Sequence, residues 1–158
     1  FKENGTVHAG NSSCVTDGGA AVLVMSEDAA TRHGVNVMAH VIAATQAGVA
    51  PSIMGMGPVP AMRQLMELLR IGIPDIDLIE LNEAFAAQVL AVDQELQLDQ
   101  EKLNVNGGAI ALGHPIGCTG TRILVTLVHE MVRRGAKRGV ATLCVSGGMG
   151  SSLLVERS

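Results

Sequence analysis

Two periods of apolar residues run along this chain and alternate with one another. Ala20-Ala21-Val22-Leu23-Val24-Met25 is a continuous apolar run and predicts a buried strand, and Val37 to Thr45, Leu78-Ile79-Glu80-Leu81 and Val140 to Val145 predict further ones. Thr6 to Ala9 is short and β-leaning, and Leu103-Asn104-Val105-Asn106 predicts a short strand. Between these runs the period lengthens. Met62, Leu65, Met66 and Leu69 fall at i, i+3, i+4 and i+7 of a helix opened by Pro58 or Pro60. Ile123, Leu124, Leu127, Val128, Met131 and Val132 mark a helical face that ends in Arg133, Arg134 and Gly135. Ser26 caps a short helix, with Glu27 and Asp28 in its first turn and Gly34 past its end.

The segment from Asn82 to Val92 predicts a helix that is apolar almost all round, and therefore a central, buried one. Gly147 to Gly150 turns the chain after Val145, and Ser152 to Val155 returns beside it as an antiparallel partner. Strands and helices thus alternate until the last two strands. The expected fold is a three-layer α/β/α domain, with a mostly parallel five-stranded sheet and one antiparallel strand. In such sheets chemistry collects at the carboxyl ends of the strands, and the polar turns after Leu81, Val105 and Val145 lie there.

Composition narrows the function classes. With 158 residues, 47% of them apolar and 16% charged, the chain is long enough to bury a core as one domain. No apolar run reaches the roughly 20 residues that cross a bilayer, and nothing at the start has the form of a secretory signal, so a soluble, cytoplasmic chain is expected. A net charge of -4, no Trp or Tyr and only Phe1 and Phe85 as aromatics argue against nucleic-acid binding. Cys14, Cys118 and Cys144 are widely spaced, with no C-x-x-C pair, so reduced thiols are expected rather than disulfides or a zinc site. The opening Phe1-Lys2-Glu3-Asn4 has the look of a chain entered mid-stream.

The stretch Asn106 to Gly120 presents His114 on a glycine-rich turn at the mouth of a helix. A histidine there either caps backbone groups or serves as a general base or oxyanion donor, because imidazole titrates near neutrality. Cys144, near a strand end, is either a small buried hydrophobe or a thiol beside backbone N–H groups that lower the cost of its thiolate. Asn82 either caps a helix or turns its amide into the cleft. Cys14 and Cys118 are incidental on this reading, and Arg133, Arg134, Lys137 and Arg138 complement a helix end. Gly113 to Thr121 lacks the spacing and lysine of a phosphate loop, and no G-x-G-x-x-G joins a strand to a helix.

Three motifs taken together are more specific: Asn82-Glu83-Ala84-Phe85-Ala86, then Asn104 through Pro115, then Cys144-Val145-Ser146-Gly147-Gly148-Met149-Gly150. In this order and spacing they resemble the C-terminal half of the thiolases, the family of acetyl-CoA acetyltransferases and 3-ketoacyl-CoA thiolases. Gly10 to Ser13, Asp17-Gly18 and Gly48 to Pro60 are similar to that family too, so the likeness covers essentially residues 1–158. The resemblance implies thiolytic cleavage of a 3-ketoacyl-CoA or the reverse Claisen condensation, with coenzyme A and acyl-CoA thioesters as substrates, no permanently bound cofactor and no metal. It implies that His114 activates a nucleophilic cysteine, that Cys144 moves the proton at the substrate α-carbon, and that Asn82 holds a water in an oxyanion hole. It also places Ser13 beside the pantetheine and Ala9, Met54, Ala84 and Phe85 along the coenzyme A tunnel.

Two departures accompany the likeness. The family's acylated cysteine lies in an N-terminal half, and none of the cysteines here sits in a matching motif, so the isolated chain is expected to be inactive. The family usually has glycine at position 146, where its N–H serves a second oxyanion hole; Ser146 keeps the N–H but adds a side chain, and a positive φ there would be costly. The competing expectation is a non-catalytic module that binds a coenzyme A derivative or assembles with a thiolase-like partner. An apolar face left without its other half predicts homo-oligomers.

Overall fold

The computed structural model describes residues 3–157. Its first helix, α1 (Glu27–His33), starts where Ser26 Oγ accepts the Ala29 N–H and stops at Gly34 in the left-handed region. Strand β1 (His40–Gly48) leads through a 3-10 segment, Pro51–Met56, into α2 (Pro58–Leu69). Strand β2 (Leu78–Leu81) precedes α3 (Ala86–Leu96), the short α4 (Ala109–Leu112) and the long α5 (Thr119–Arg134). The hairpin β3 (Arg138–Val145) and β4 (Met149–Glu156) closes the chain.

The sheet order is β1-β4-β3-β2. β4 runs antiparallel to both β1 and β3, while β2 pairs parallel with β3, so β1, β2 and β3 share one direction and β4 alone opposes it. Period-two alternation then sends side chains to two faces. On one face Ile79, Leu81, Val140 and Leu154 pack with Val59, Met62 and Leu65 of α2 and Val92 and Leu96 of α3. On the other, Leu78, Ala141 and Val155 pack with Ile123, Leu127 and Met131 of α5. This is the expected three-layer α/β/α arrangement.

The sheet has four strands rather than five. Leu103 contributes a single parallel bridge to Ile79, and Ala20 to Met25 pairs with nothing in the described ladder. The apolar run therefore misled: Val22, Leu23 and Val24 are 46%, 78% and 73% exposed, because an extended segment is buried only where neighbouring strands cover it. Thr6 to Ala9 is likewise no strand, and a 3-10 turn occupies Ala9–Asn11. β1 begins at His40, three residues later than the apolar pattern places it.

The helix expected from Asn82 starts only at Ala86. The four residues before it have their backbone committed elsewhere: the Asn82 N–H donates to the Thr142 carbonyl and the Ala84 carbonyl accepts the Ser13 N–H. Once formed, α3 buries Gln88, Val92 and Leu96 and leaves Leu90 exposed, so it is one-sided rather than enclosed. Among the described residues no helix is long and apolar enough to cross a membrane.

Candidate functional site

The carboxyl ends of β2 and β3 lie side by side, with Leu81 opposite Thr142, and β1 ends two strands away. Beyond them come Asn82-Glu83, Ser146-Gly147-Gly148 and the loop after Gly48, the last tied back where the Val49 N–H donates to the Gly148 carbonyl at 2.7 Å. The turn carrying His114 must be brought to this edge from α4, and a set of side-chain bonds does so.

Asn104 acts as a surrogate strand residue. Its Oδ1 accepts the Leu81 N–H at 2.9 Å, and its Nδ2 donates to the Leu81 carbonyl at 2.9 Å and to Glu83 Oε1 at 3.0 Å. Glu83 in turn accepts the Ile110 N–H at 3.1 Å through Oε2, which anchors α4. Gly108 allows this approach, since a Cβ at that position would collide with the Glu83 carboxylate. Gly113 then takes φ 96° against the side chain of Thr16, which leaves no room for a larger residue. The next N–H, that of His114, donates to the Cys14 carbonyl at 3.1 Å.

The result joins two of the residues singled out in sequence. Asn82 Nδ2 lies 3.5 Å from His114 Nε2, a long contact. Asn82 is 1% exposed, and its Oδ1 has no hydrogen-bond partner within the protein. The other imidazole nitrogen, Nδ1, lies 2.6 Å from Thr119 Oγ1. His114 is half-buried, and its pKa is lowered from the ordinary imidazole value, first because burial disfavours the charged ring and then because Arg122 repels it. Near neutral pH the ring is a neutral base.

Cys144 sits on β3 two residues past Thr142, buried in the sheet. Burial pushes its thiol pKa up from the ordinary value, with a backbone hydrogen bond opposing, so the expectation of a cheaper thiolate is reversed at this position. The resting group is a thiol that holds a proton. Ser146 is exposed and does not take a positive φ; the left-handed residues of this turn are Gly147 at 88° and Gly148 at 92°. The strain anticipated for serine at 146 is therefore absent.

A second group gathers around Ala84. Its carbonyl accepts both the N–H of Ser13 at 3.0 Å and the Ser13 hydroxyl at 3.2 Å, and Ser12 bridges to Phe85. Met54 lies half-buried in the 3-10 segment that packs on α3, where Gly55 touches Gln88. Ala9 is exposed on its own 3-10 turn, linked to Ser13 through the intervening chain. Sequence reasoning passed over Thr119, Glu83 and Asn104 as site-builders. The signal for Asn104 was a polar residue inside an otherwise β-like run.

Comparison with known proteins follows the same division of the chain. The family description "Thiolase, C-terminal domain" matches residues 35–157. The chain belongs to the thiolase family. The companion description "Thiolase, N-terminal domain" matches residues 1–28. Among curated thiolases the chain is 56% identical to the acetyl-CoA acetyltransferase of Syntrophomonas wolfei, covering 99% of this chain and 40% of that protein. It is 54% identical to the acetyl-CoA acetyltransferase of Escherichia coli over the same shares. The crystal structure of the Bacillus anthracis acetyl-CoA acetyltransferase superposes with a TM-score of 0.97 at 52% identity, over 99% of this chain and 40% of that one. Human mitochondrial 3-ketoacyl-CoA thiolase in complex with CoA superposes at 0.91 with 44% identity, over 100% of this chain and 40% of that one. The chain thus spans about two fifths of the length of these thiolases.

Proposed function

We propose that these residues form the C-terminal half of a thiolase that transfers acyl groups at coenzyme A thioesters, either by thiolytic cleavage of a 3-ketoacyl-CoA or by Claisen condensation. The observation that carries this reading is the pairing of Asn82 with a neutral His114 beside the carboxyl ends of β2 and β3. His114 Nε2 takes the proton of a nucleophilic cysteine contributed by the N-terminal half. That thiolate attacks the keto carbonyl of the substrate. The bond between the keto carbon and the α-carbon then breaks, leaving an acyl-enzyme and the enolate of acetyl-CoA.

Cys144 gives its proton to the α-carbon of that enolate, a role suited to a thiol kept protonated by burial. The enolate oxygen needs aimed donors, each worth about 3 kcal/mol. The imidazolium Nε2–H and a water held by the orphaned Asn82 Oδ1 supply one set, and the N–H of Ser146 supplies another on this reading. Coenzyme A then gives its thiol proton to the Cys144 thiolate and attacks the acyl-enzyme carbonyl through sulfur, and the released cysteine takes back the proton held on His114 Nε2. Ser13, Ala9, Met54, Ala84 and Phe85 flank the pantetheine arm on this reading, and acyl-CoA is substrate rather than resident cofactor.

The exposed Val22-Leu23-Val24 belongs with the N-terminal half, whose family description ends at residue 28. Covered there, it ceases to be a liability; without that half the 158-residue piece self-associates and is inactive. A cytoplasmic location fits the bacterial relatives. The test is thiolysis of acetoacetyl-CoA by the full-length protein and by its His114→Asn and Cys144→Ser variants. Turnover that survives both substitutions, or turnover by the 158-residue piece alone, refutes the reading.

A further inference from the structure

Thr119 is the first residue of α5, fully buried, and lies outside the three motifs that carry the family likeness. Its hydroxyl lies between two atoms: 2.6 Å from His114 Nδ1 and 3.0 Å from the Pro115 carbonyl oxygen. A hydroxyl has one proton to give and lone pairs to accept with, and a carbonyl only accepts. If the Oγ1 proton goes to Pro115, the contact to Nδ1 is satisfied only when Nδ1 carries a hydrogen. That leaves Nε2 with its lone pair facing the Asn82 Nδ2 donor.

The opposite assignment fails on two counts. A Thr119 hydroxyl donating to Nδ1 puts the ring hydrogen on Nε2, where it meets the Asn82 N–H group head on. Turning the Asn82 amide over would relieve that clash but would still leave Oγ1 and the Pro115 oxygen as two acceptors 3.0 Å apart. Back-bonding of a threonine hydroxyl to the carbonyl four residues earlier is also an ordinary arrangement for a helical threonine. The Thr119 N–H donates to the same Pro115 oxygen at 2.9 Å, which holds that carbonyl in place.

We propose that Thr119 is the positioning residue that locks His114 in its Nδ1–H tautomer, so that every proton the imidazole gains or loses passes through Nε2. The inference deepens, and for its kinetic arm rests on, the acyl-transfer reading above. Its chemical value lies in the two forms the ring must adopt. As a base His114 needs a bare Nε2; as an oxyanion donor it needs a proton on that same atom, which gives up the long 3.5 Å contact with Asn82 Nδ2 in exchange for the substrate oxygen. The hydrogen on Nδ1 is common to both, so the Thr119–Pro115 relay is unchanged as the ring cycles. In a ring with no such partner the two neutral tautomers exchange, and the fraction bearing hydrogen on Nε2 cannot act as a base from that atom.

The experiment uses the full-length protein with Thr119→Val, which keeps the shape and removes the hydroxyl, and Thr119→Ser, which restores it. Thiolysis of acetoacetyl-CoA should lose roughly 10- to 100-fold in kcat in the valine variant, with KM within about twofold, and the serine variant should recover most of the loss. Selective 15N-histidine spectra above the ring's titration, assigned by difference against His114→Asn, read the tautomer directly. Wild type and the serine variant should show a protonated Nδ1 and bare Nε2, and the valine variant a shift toward Nε2–H.

A wild-type spectrum with hydrogen on Nε2 overturns the proposal, and so does an unchanged tautomer in the valine variant. A kcat loss that serine does not rescue overturns it as well. If the valine variant fails to fold, the wild-type tautomer alone decides. Absence of thiolysis in wild-type protein with the expected spectra would defeat the acyl-transfer reading while leaving the tautomer assignment standing.

Discussion

Glu80 offers a sharp test of the electrostatics behind the site. It is 3% exposed on β2, on the sheet face covered by α5, and its carboxyl is raised from 4.5 to about 7. Burial is the main cause; Arg122 opposes it, and Glu83 and Glu130 add to it. The Arg122 guanidinium is 3.7 Å away, beyond hydrogen-bond distance, which explains why attraction does not prevail over desolvation. A carboxyl whose folded pKa is raised favours the folded state while protonated. Its contribution is complete below pH 4.5 and is lost progressively as the pH climbs to about 7.

At roughly 1.4 kcal/mol per pKa unit, the loss amounts to about 3 kcal/mol. Glu80→Gln removes this titration while keeping the shape of the protonated acid. Urea unfolding of both proteins from pH 4 to pH 8 should show nearly equal stability at the acid end and a widening advantage for the variant, reaching about 3 kcal/mol at the alkaline end. Curves that run parallel across this range, or a variant less stable than wild type at pH 8, would mean that Glu80 is ionised and held by Arg122, and the argument would fail.

Three further outcomes follow from the same contacts. Asn104→Leu strands the Leu81 N–H and carbonyl and must hold leucine at φ 45°, so a loss of about 2–4 kcal/mol is expected in urea unfolding. Arg122→Met removes the second cause of the lowered His114 pKa. The pKa rises, and the acid limb of kcat/KM in the full-length protein moves to higher pH. Ser146→Gly relieves no strain because Ser146 does not take a positive φ, so stability should fall by about 0.4–1 kcal/mol as the unfolded chain gains freedom; a rise would reveal hidden strain.

Much of the fold was legible along the chain because its signals are local. The Ser26 cap and Gly34 stop of α1, the helical stripe of α2, the apolar run of β2 and the β3–β4 hairpin each depend on residues within one or two turns, and each appears where its pattern lies. The motifs around Asn82, His114 and Cys144 were equally legible, as a family likeness that the matched domains bear out. Local pattern failed where the deciding partner was distant. Ala20 to Met25 has the composition of a buried strand, yet burial depends on neighbours, and none covers it here. Asn82 to Phe85 has the composition of a helix start, yet Thr142 and Ser13 claim its backbone from 60 and 71 residues away in sequence.

The chain by itself determined the main helices, the strands β2, β3 and β4 and the three-layer arrangement, together with the presence of an imidazole, an amide and a thiol in the polar turns and strand ends. The tertiary structure decided what each of those groups is. Only packing could push the Cys144 thiol further from its thiolate instead of toward it, since desolvation depends on what surrounds it. Only the meeting of Asn82, His114, Thr119 and Pro115 could select which nitrogen of the ring stays bare, because a tautomer is fixed by its hydrogen-bond partners and by nothing in the histidine itself.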